Sequence, residues 1–234
     1  MNLPRSIFLV FVLFVSAGIL NAQMVGSLPT PRGVEGNPFS ADVINQHSKV
    51  LADGNRIEQE THGKMYRDSQ GRVRNEIEML VPNGERRQSI SIQDPTERVN
   101  ILLDPIRKTA RVMHMPDPAT IRKEMGQQPR PPEPSRVSHQ VEQLGNMTIE
   151  GLNATGIRST NTTAANAIGN AEPLVSVQEF WRSPDLQVEL MTKSSDPQNG
   201  ESVHKLVNIQ RVEPDPSLFQ IPADYEVTDS PAPH

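Results

Sequence analysis

Between Phe39 and Met79 the side chains divide at a period of two into two faces, which from Arg72 to Met79 are one apolar and one charged. A first strand from about Phe39 to Leu51 sets Ala41, Val43, Asn45, His47 and Lys49 on one side. Its neighbour, Asn55 to Arg67, alternates Ile57, Gln59, Thr61, Gly63 and Met65 with Arg56, Glu58, Glu60, His62, Lys64 and Tyr66. Val73, Asn75, Ile77 and Met79 then alternate with Arg72, Arg74, Glu76 and Glu78. A period of two marks half-buried strands. Further extended segments follow at Gln88 to Ile92, Val99 to Leu103 and Thr109 to Met115, and together these predict a six-stranded meander.

Turn residues punctuate the pattern. Asp53-Gly54, Ser69-Gln70-Gly71, Pro82-Asn83-Gly84, Asp94-Pro95-Thr96 and Asp104-Pro105 leave room for strands and little for helices. A two-residue turn at Asp53-Gly54 would place His47 opposite Glu60 and His62 opposite Asn45. From Pro116 to Pro134 the texture changes. Six prolines bracket a short piece, Ala119 to Met125, and a segment of this kind forbids sheet ladders and favours an extended strap. Its PxxP matches at Pro129 to Pro134 also fit a proline-rich recognition ligand.

Strands resume at Val137 to Val141, Met147 to Glu150, Asn153 to Thr163, Leu174 to Trp181, Leu186 to Lys193 and Val203 to Val212. Pro214 to Pro222 reads as one helical turn, with Leu218, Phe219 and Ile221 plugging a core edge. The fold class is all-β (mainly β). It is a single large antiparallel sheet of about eleven strands, curled into an open or incomplete barrel, with a proline-rich strap and little helix. The expected division is a signal peptide over 1–22, a disordered leader over 23–38, the β domain over 39–227 with the strap at 116–135 inside it, and a disordered tail over 228–234.

The N-terminus sets the compartment. Arg5 precedes the apolar run Ile7 to Val15, which passes through Ser16-Ala17-Gly18 to Asn21-Ala22, the layout of a secretory signal. The run is shorter than the ~20 residues that span a bilayer, so cleavage after Ala22 is expected, leaving no transmembrane span. Retention as an anchor is the alternative, because Leu20 is bulky for the third position before the cut. The chain has no cysteine, which removes disulfides, thiolate metal sites and cysteine nucleophiles. Export without cysteine fits a bacterial periplasmic or secreted protein. Three Asn-x-Thr triplets, at Asn146, Asn153 and Asn161, would accept glycans only in a eukaryotic pathway.

A net charge of −5 argues against nucleic acid as a partner, since that requires a basic stripe. Signatures for hydrolases, nucleotide binding, zinc proteases and calcium loops are missing, so neither an enzyme nor a bound cofactor is expected. The histidines never recur at helix or strand spacing. His47 and His62, the best pair, read as surface residues among charges. Phe180-Trp181 either straddles a strand, one ring on each face, or stacks on a ligand.

Tyr66-Arg67-Asp68-Ser69-Gln70-Gly71-Arg72, then Asp94-Pro95, Leu103-Asp104-Pro105, Glu179-Phe180-Trp181 and the closing Leu218 to Tyr225 together form a recognisable succession. It resembles uncharacterised exported bacterial proteins whose sheet is similar to that of the periplasmic lipoprotein carriers (LolA/LolB-like). The resemblance implies an incomplete antiparallel barrel that holds acyl chains on an apolar concave face. Among the apolar strand positions, Ile57, Met65, Val73, Ile77, Met79, Ile101 and Val112 are the candidate lining of a concave sheet face that takes a hydrophobic or lipid ligand. The alternative is a structural or interaction module that holds an envelope protein partner at a sheet edge or on the strap.

Overall fold

The structure is a computed structural model and describes residues 34–80, 84–116 and 137–230. The expected signal peptide, most of the leader, the strap after Pro116 and residues 231–234 lie outside the described residues. Six strands form the first meander: β1 (Phe39–Val50), β2 (Arg56–Arg67), β3 (Val73–Leu80), β4 (Arg86–Asp94), β5 (Val99–Asp104) and β6 (Thr109–His114). Five form the second: β7 (Val137–Ile149), β8 (Leu152–Thr163), β9 (Leu174–Ser183), β10 (Val188–Asp196) and β11 (Gly200–Gln210). A 3-10 turn, Pro216–Phe219, and a last strand, β12 (Glu226–Ser230), complete the chain. All lie in one twelve-stranded sheet ordered β12-β6-β5-β4-β3-β2-β1-β11-β10-β9-β8-β7, which does not close into a barrel. Among the described residues no helix is long and apolar enough to cross a membrane.

The sheet departs from expectation at its C-terminal end. β12 runs from Glu226 to Ser230, past the expected boundary at 227, and pairs parallel with β6. A sequence of five residues with two acids carries no local strand signal; the pairing depends on the 3-10 turn that delivers it. That turn was legible: Asp215 accepts a hydrogen bond from the Ser217 amide at 2.9 Å, and Phe219 is buried.

A shared construction explains the regular turns. Asp94, Asp104 and Asp196 each accept two backbone amides, from the residues two and three positions on, at 2.8 to 3.0 Å. A proline occupies the next position in each case, and the loop closes with a left-handed residue: Arg98, Lys108 or Gly200. Proline pre-sets φ and the aspartate side chain substitutes for a backbone acceptor, so the four-residue bend is encoded locally. Ser183-Pro184 repeats the design with a hydroxyl, which accepts from the Leu186 amide at 3.2 Å, and with Gln187 left-handed.

The β1–β2 hairpin differs by one residue from expectation. Leu51 N–H donates to the Asn55 carbonyl at 2.8 Å, closing a three-residue loop in which Gly54 is left-handed at φ 84°. The extra residue shifts the pairing, so His47 faces Gln59 and His62 faces Ile44. A slip of one residue exchanges the faces of partner side chains. His47 and His62 therefore lie on opposite faces.

Two hydrophobic clusters result. Through β1 to β6 the register runs without a bulge, so cross-strand partners share a face. Phe39, Ala41, Val43, Met65 and Val73 share one face and join Leu152, Ala154, Leu186, Val188, Leu190 and Leu206. Ile90, Ile92, Val99, Ile101, Leu103 and Ala110 share the other and are covered by Phe219, with Leu218, Ile221 and Tyr225 alongside. The buried face thus changes sides between β3 and β4. Arg74 sits at the crossover, opposite Ile92, ion-paired with Glu76 at 2.7 Å and donating to the Leu218 carbonyl at 2.9 Å.

Candidate ligand-binding face

On β1, β2 and β10 one face is more sheltered than the other. Asn45, His47, Thr61, Thr192 and Ser194 are half-buried, whereas Gln46, His62 and Lys193, which point the other way, are exposed. The ladders continue this face across seven strands, from β7 to β2, although on β7 and at Ile157, Gln178 and Gln59 its side chains are exposed.

Its side chains form rows of cross-strand neighbours. One row contains Ile157, Phe180, Thr192, His204, Asn45 and Thr61. Within it the His204 imidazole lies 2.6 Å from the Asn45 amide oxygen, and the Asn45 amide donates to the Thr61 hydroxyl at 3.4 Å. With Nδ1 as the donor to that oxygen, His204 is neutral; burial holds its pKa down at about 4. His204 Nε2 and the Thr192 hydroxyl, cross-strand neighbours, are buried without hydrogen-bond partners.

The opposite face carries shallow grooves of about 300 and 430 Å³. Their walls are charged. Asp42, Lys64, Glu76 and Glu78 border the first, and Arg56, Glu58, Glu60 and Glu201 the second, which His47, Gln59 and Ser202 also reach from their strands. None of the seven sequence-derived candidates lines either groove.

The structure divides those seven. Ile57, Met65, Val73, Ile77 and Met79 share the sheltered face of β2 and β3, whereas Ile101 and Val112 face each other on the opposite side, within the cluster beneath Phe219. Met65 and Val73 are 4% and 1% exposed and belong to the core. Ile57, Ile77 and Met79 remain accessible, at 39%, 38% and 48%. Sequence reading overlooked the Asn45–His204 contact, which spans 159 residues and leaves no local signal.

Phe180 and Trp181 do point to opposite faces. Phe180 neighbours Ile157 and Thr192, while the Trp181 ring lies against Gly156. Among the described residues no group of three histidine, aspartate or glutamate side chains is placed to hold a metal ion.

No protein family and no curated protein matches this sequence. Solved structures do. An uncharacterized conserved protein from Thermus thermophilus aligns with 12% identity over 83% of this chain and 91% of its own, at a TM-score of 0.45. A chain of the Pseudomonas aeruginosa MucA/MucB complex aligns with 13% identity over 83% of this chain and 59% of its own, at a TM-score of 0.42. An outer membrane lipoprotein-sorting protein domain from Vibrio parahaemolyticus aligns with 10% identity over 79% of this chain and 90% of its own, with a TM-score of 0.33. Proteins named for lipoprotein sorting are thus among the solved structures that this chain is similar to. At these identities and scores no functional property passes from those proteins to this chain.

Proposed function

We propose that this chain is an exported, non-enzymatic binding protein of the bacterial envelope whose ligand seat is the sheltered face of the sheet. The observation that carries this reading is the accessible pair Ile77 and Met79 on β3, with Ile57 further along β2 on the same face. Apolar side chains left partly open beside a sheltered surface gain free energy when a hydrophobic ligand covers them. Ile157, 37% exposed on β8, offers a second apolar margin across the same face.

The test is the protein purified without detergent from a bacterial periplasm. Mass spectrometry of its organic extract should recover a lipid in stoichiometric amount, and the Ile77→Asp/Met79→Asp double variant should lose it while remaining folded. A clean extract from the wild-type protein would end the carrier reading.

A second reading rests on β7. This 13-residue strand forms one edge of the sheet, whereas β12 covers the other edge at β6. Among the described residues no strand pairs with its outer side, and such an edge is a template for an added strand from an envelope protein. Protection of the outward β7 amides from hydrogen exchange on adding envelope extract would favour it, and unchanged exchange would count against it.

A further inference from the structure

The row next to His204 on the sheltered face has a different character from its neighbours. It starts from Ser159 on β8, whose hydroxyl lies 3.5 Å from His139 Nδ1, and then runs Gln178 on β9, Ser194 on β10, Ser202 on β11, His47 on β1 and Gln59 on β2, each of these five the cross-strand partner of the next. None of these five side chains makes a hydrogen bond within the described residues, although each carries a donor or acceptor. The flanking rows carry bonds of their own, although the Thr192 hydroxyl and His204 Nε2 have no partner. On one side His204 joins Asn45 and Asn45 joins Thr61. On the other, His139 meets Asn161 at 2.8 Å and the Ser176 hydroxyl donates to Asp196 at 2.6 Å.

Charge is absent from the row itself, although Asp196 and Lys49 stand one row away on the same face. The five-membered row contains no acid, lysine or arginine. Directly behind it, on the other face, Arg158 bridges Glu142 at 2.9 Å and Glu179 at 2.7 Å. A surface that only needed to stay soluble would carry such ion pairs on both sides. What remains is a straight, neutral track of hydroxyl, amide and imidazole groups spaced at the strand repeat, about 4.8 Å, and so about 19 Å long. Uncharged groups that both donate and accept complement sugar hydroxyls. The strand repeat is close to the length of a pyranose unit. A peptide is less suited, because the track has no alternating apolar pockets to select side chains. Phe180, two residues from Gln178 on the same face, supplies one ring for a sugar to rest on.

We propose that this track binds a neutral oligosaccharide laid across β9, β10, β11, β1 and β2. The proposal rests on the sheltered face being the ligand seat and specifies the polar part of what it takes.

The experiment is calorimetric titration of the full exported chain with cellotetraose, maltotetraose and chitotetraose. At least one should bind saturably, with a Kd on the order of 0.1 to 1 mM. The Gln178→Ala/Ser194→Ala double variant, at positions outside the cores, should weaken that binding tenfold or more, while Lys193→Ala on the other face should leave it unchanged. Absence of saturable heat with all three sugars, or equal binding by the double variant, would overturn the proposal. Lipid recovered from the extract together with no sugar binding would sink the saccharide assignment and leave the carrier reading standing. Sugar binding that depends on Gln178 and Ser194, with no lipid recovered, would support the saccharide assignment and remove the hydrophobic cargo.

Discussion

Arg67 donates through Nη2 to the Leu186 carbonyl at 2.5 Å, joining the first meander to a turn 119 residues further along. Its Nε and Nη2 also reach the Asn37 carbonyl, at 3.0 and 2.7 Å, and its guanidinium lies 4.8 Å from the centre of the Phe39 ring. The side chain is fully buried, Nη1 has no partner among the described residues, and burial together with the charge of Arg182 lowers its pKa to about 10. Keeping it charged there costs stability, which the carbonyls and the ring offset. Arg67→Ala would leave two carbonyls unanswered and a cavity, and is expected to destabilise by about 4 kcal/mol in urea unfolding. Arg67→Lys should recover little, because an ammonium cannot reproduce the planar fork. A loss under about 1 kcal/mol for Arg67→Ala would contradict this role.

His204 predicts a pH dependence. Its pKa is about 4 in the folded chain against 6.5 when unfolded, because burial opposes the charged form. As pH falls below 6.5 the unfolded chain takes up a proton that the folded chain refuses, so stability drops until about pH 4 and then levels off with respect to this group. The drop should approach about 3 kcal/mol. Urea midpoints at pH 7, 5.5 and 4.5 measure it, and His204→Gln should flatten the wild-type slope. An unchanged slope would mean that the imidazole is already open to protonation.

Two glycines are fixed by close approach rather than by φ. A Cβ on Gly156 would lie 2.6 Å from the Trp181 ring, and one on Gly63 would collide with the Glu76 carbonyl oxygen in the neighbouring strand. A ring can shift by rotation whereas a paired strand backbone cannot. Gly156→Ala is expected to cost about 1 to 2 kcal/mol and Gly63→Ala about 3 or more. Thermal unfolding would order the two, and the reverse order would place the flexibility in the β2–β3 ladder.

Phe219 tests the tail. It is 4% exposed against Ile90, Ile92, Ile101 and Leu103, and its ring also lies 5.0 Å from the Arg72 guanidinium. Phe219→Ala should cost about 3 to 5 kcal/mol. It should also speed amide exchange in β6, because the 3-10 turn that delivers β12 would lose its anchor. Slow exchange in β6 in that variant would show that β12 holds the edge unaided.

Much of this was readable along the chain. The Asp-Pro turns declare themselves because acceptor, fixed φ and left-handed closing residue all fall within five positions. Period-two alternation located the strands for the same reason. What escaped depends on distance or on a single inserted residue. Gly54 closes a three-residue loop rather than a two-residue one, and that alone separates His47 from His62. The alternation in β3 and β4 looks alike, yet the buried side is Val73 in one and Ile92 in the other, because the covering groups differ: the second meander for Val73, the C-terminal turn for Ile92. For the candidate lining this meant that Ile101 and Val112 were grouped with residues on the far face. Nothing near His204 indicated Asn45 as its neighbour.

Every other antiparallel pairing in the sheet joins sequence neighbours, but β1 and β11 meet across most of the chain, 159 residues for Asn45 and His204. Each meander can zip from its own turns, and the seam between them must wait for the largest loop to close. The order of assembly is therefore written into the topology: two sheets first, one sheet last. Between those moments β1 and β11 are both bare edges, the most aggregation-prone condition the chain passes through. The seam is also where the proposed track crosses from one meander to the other, at Ser202 and His47. A ligand laid along it would act as a staple across the last joint to form.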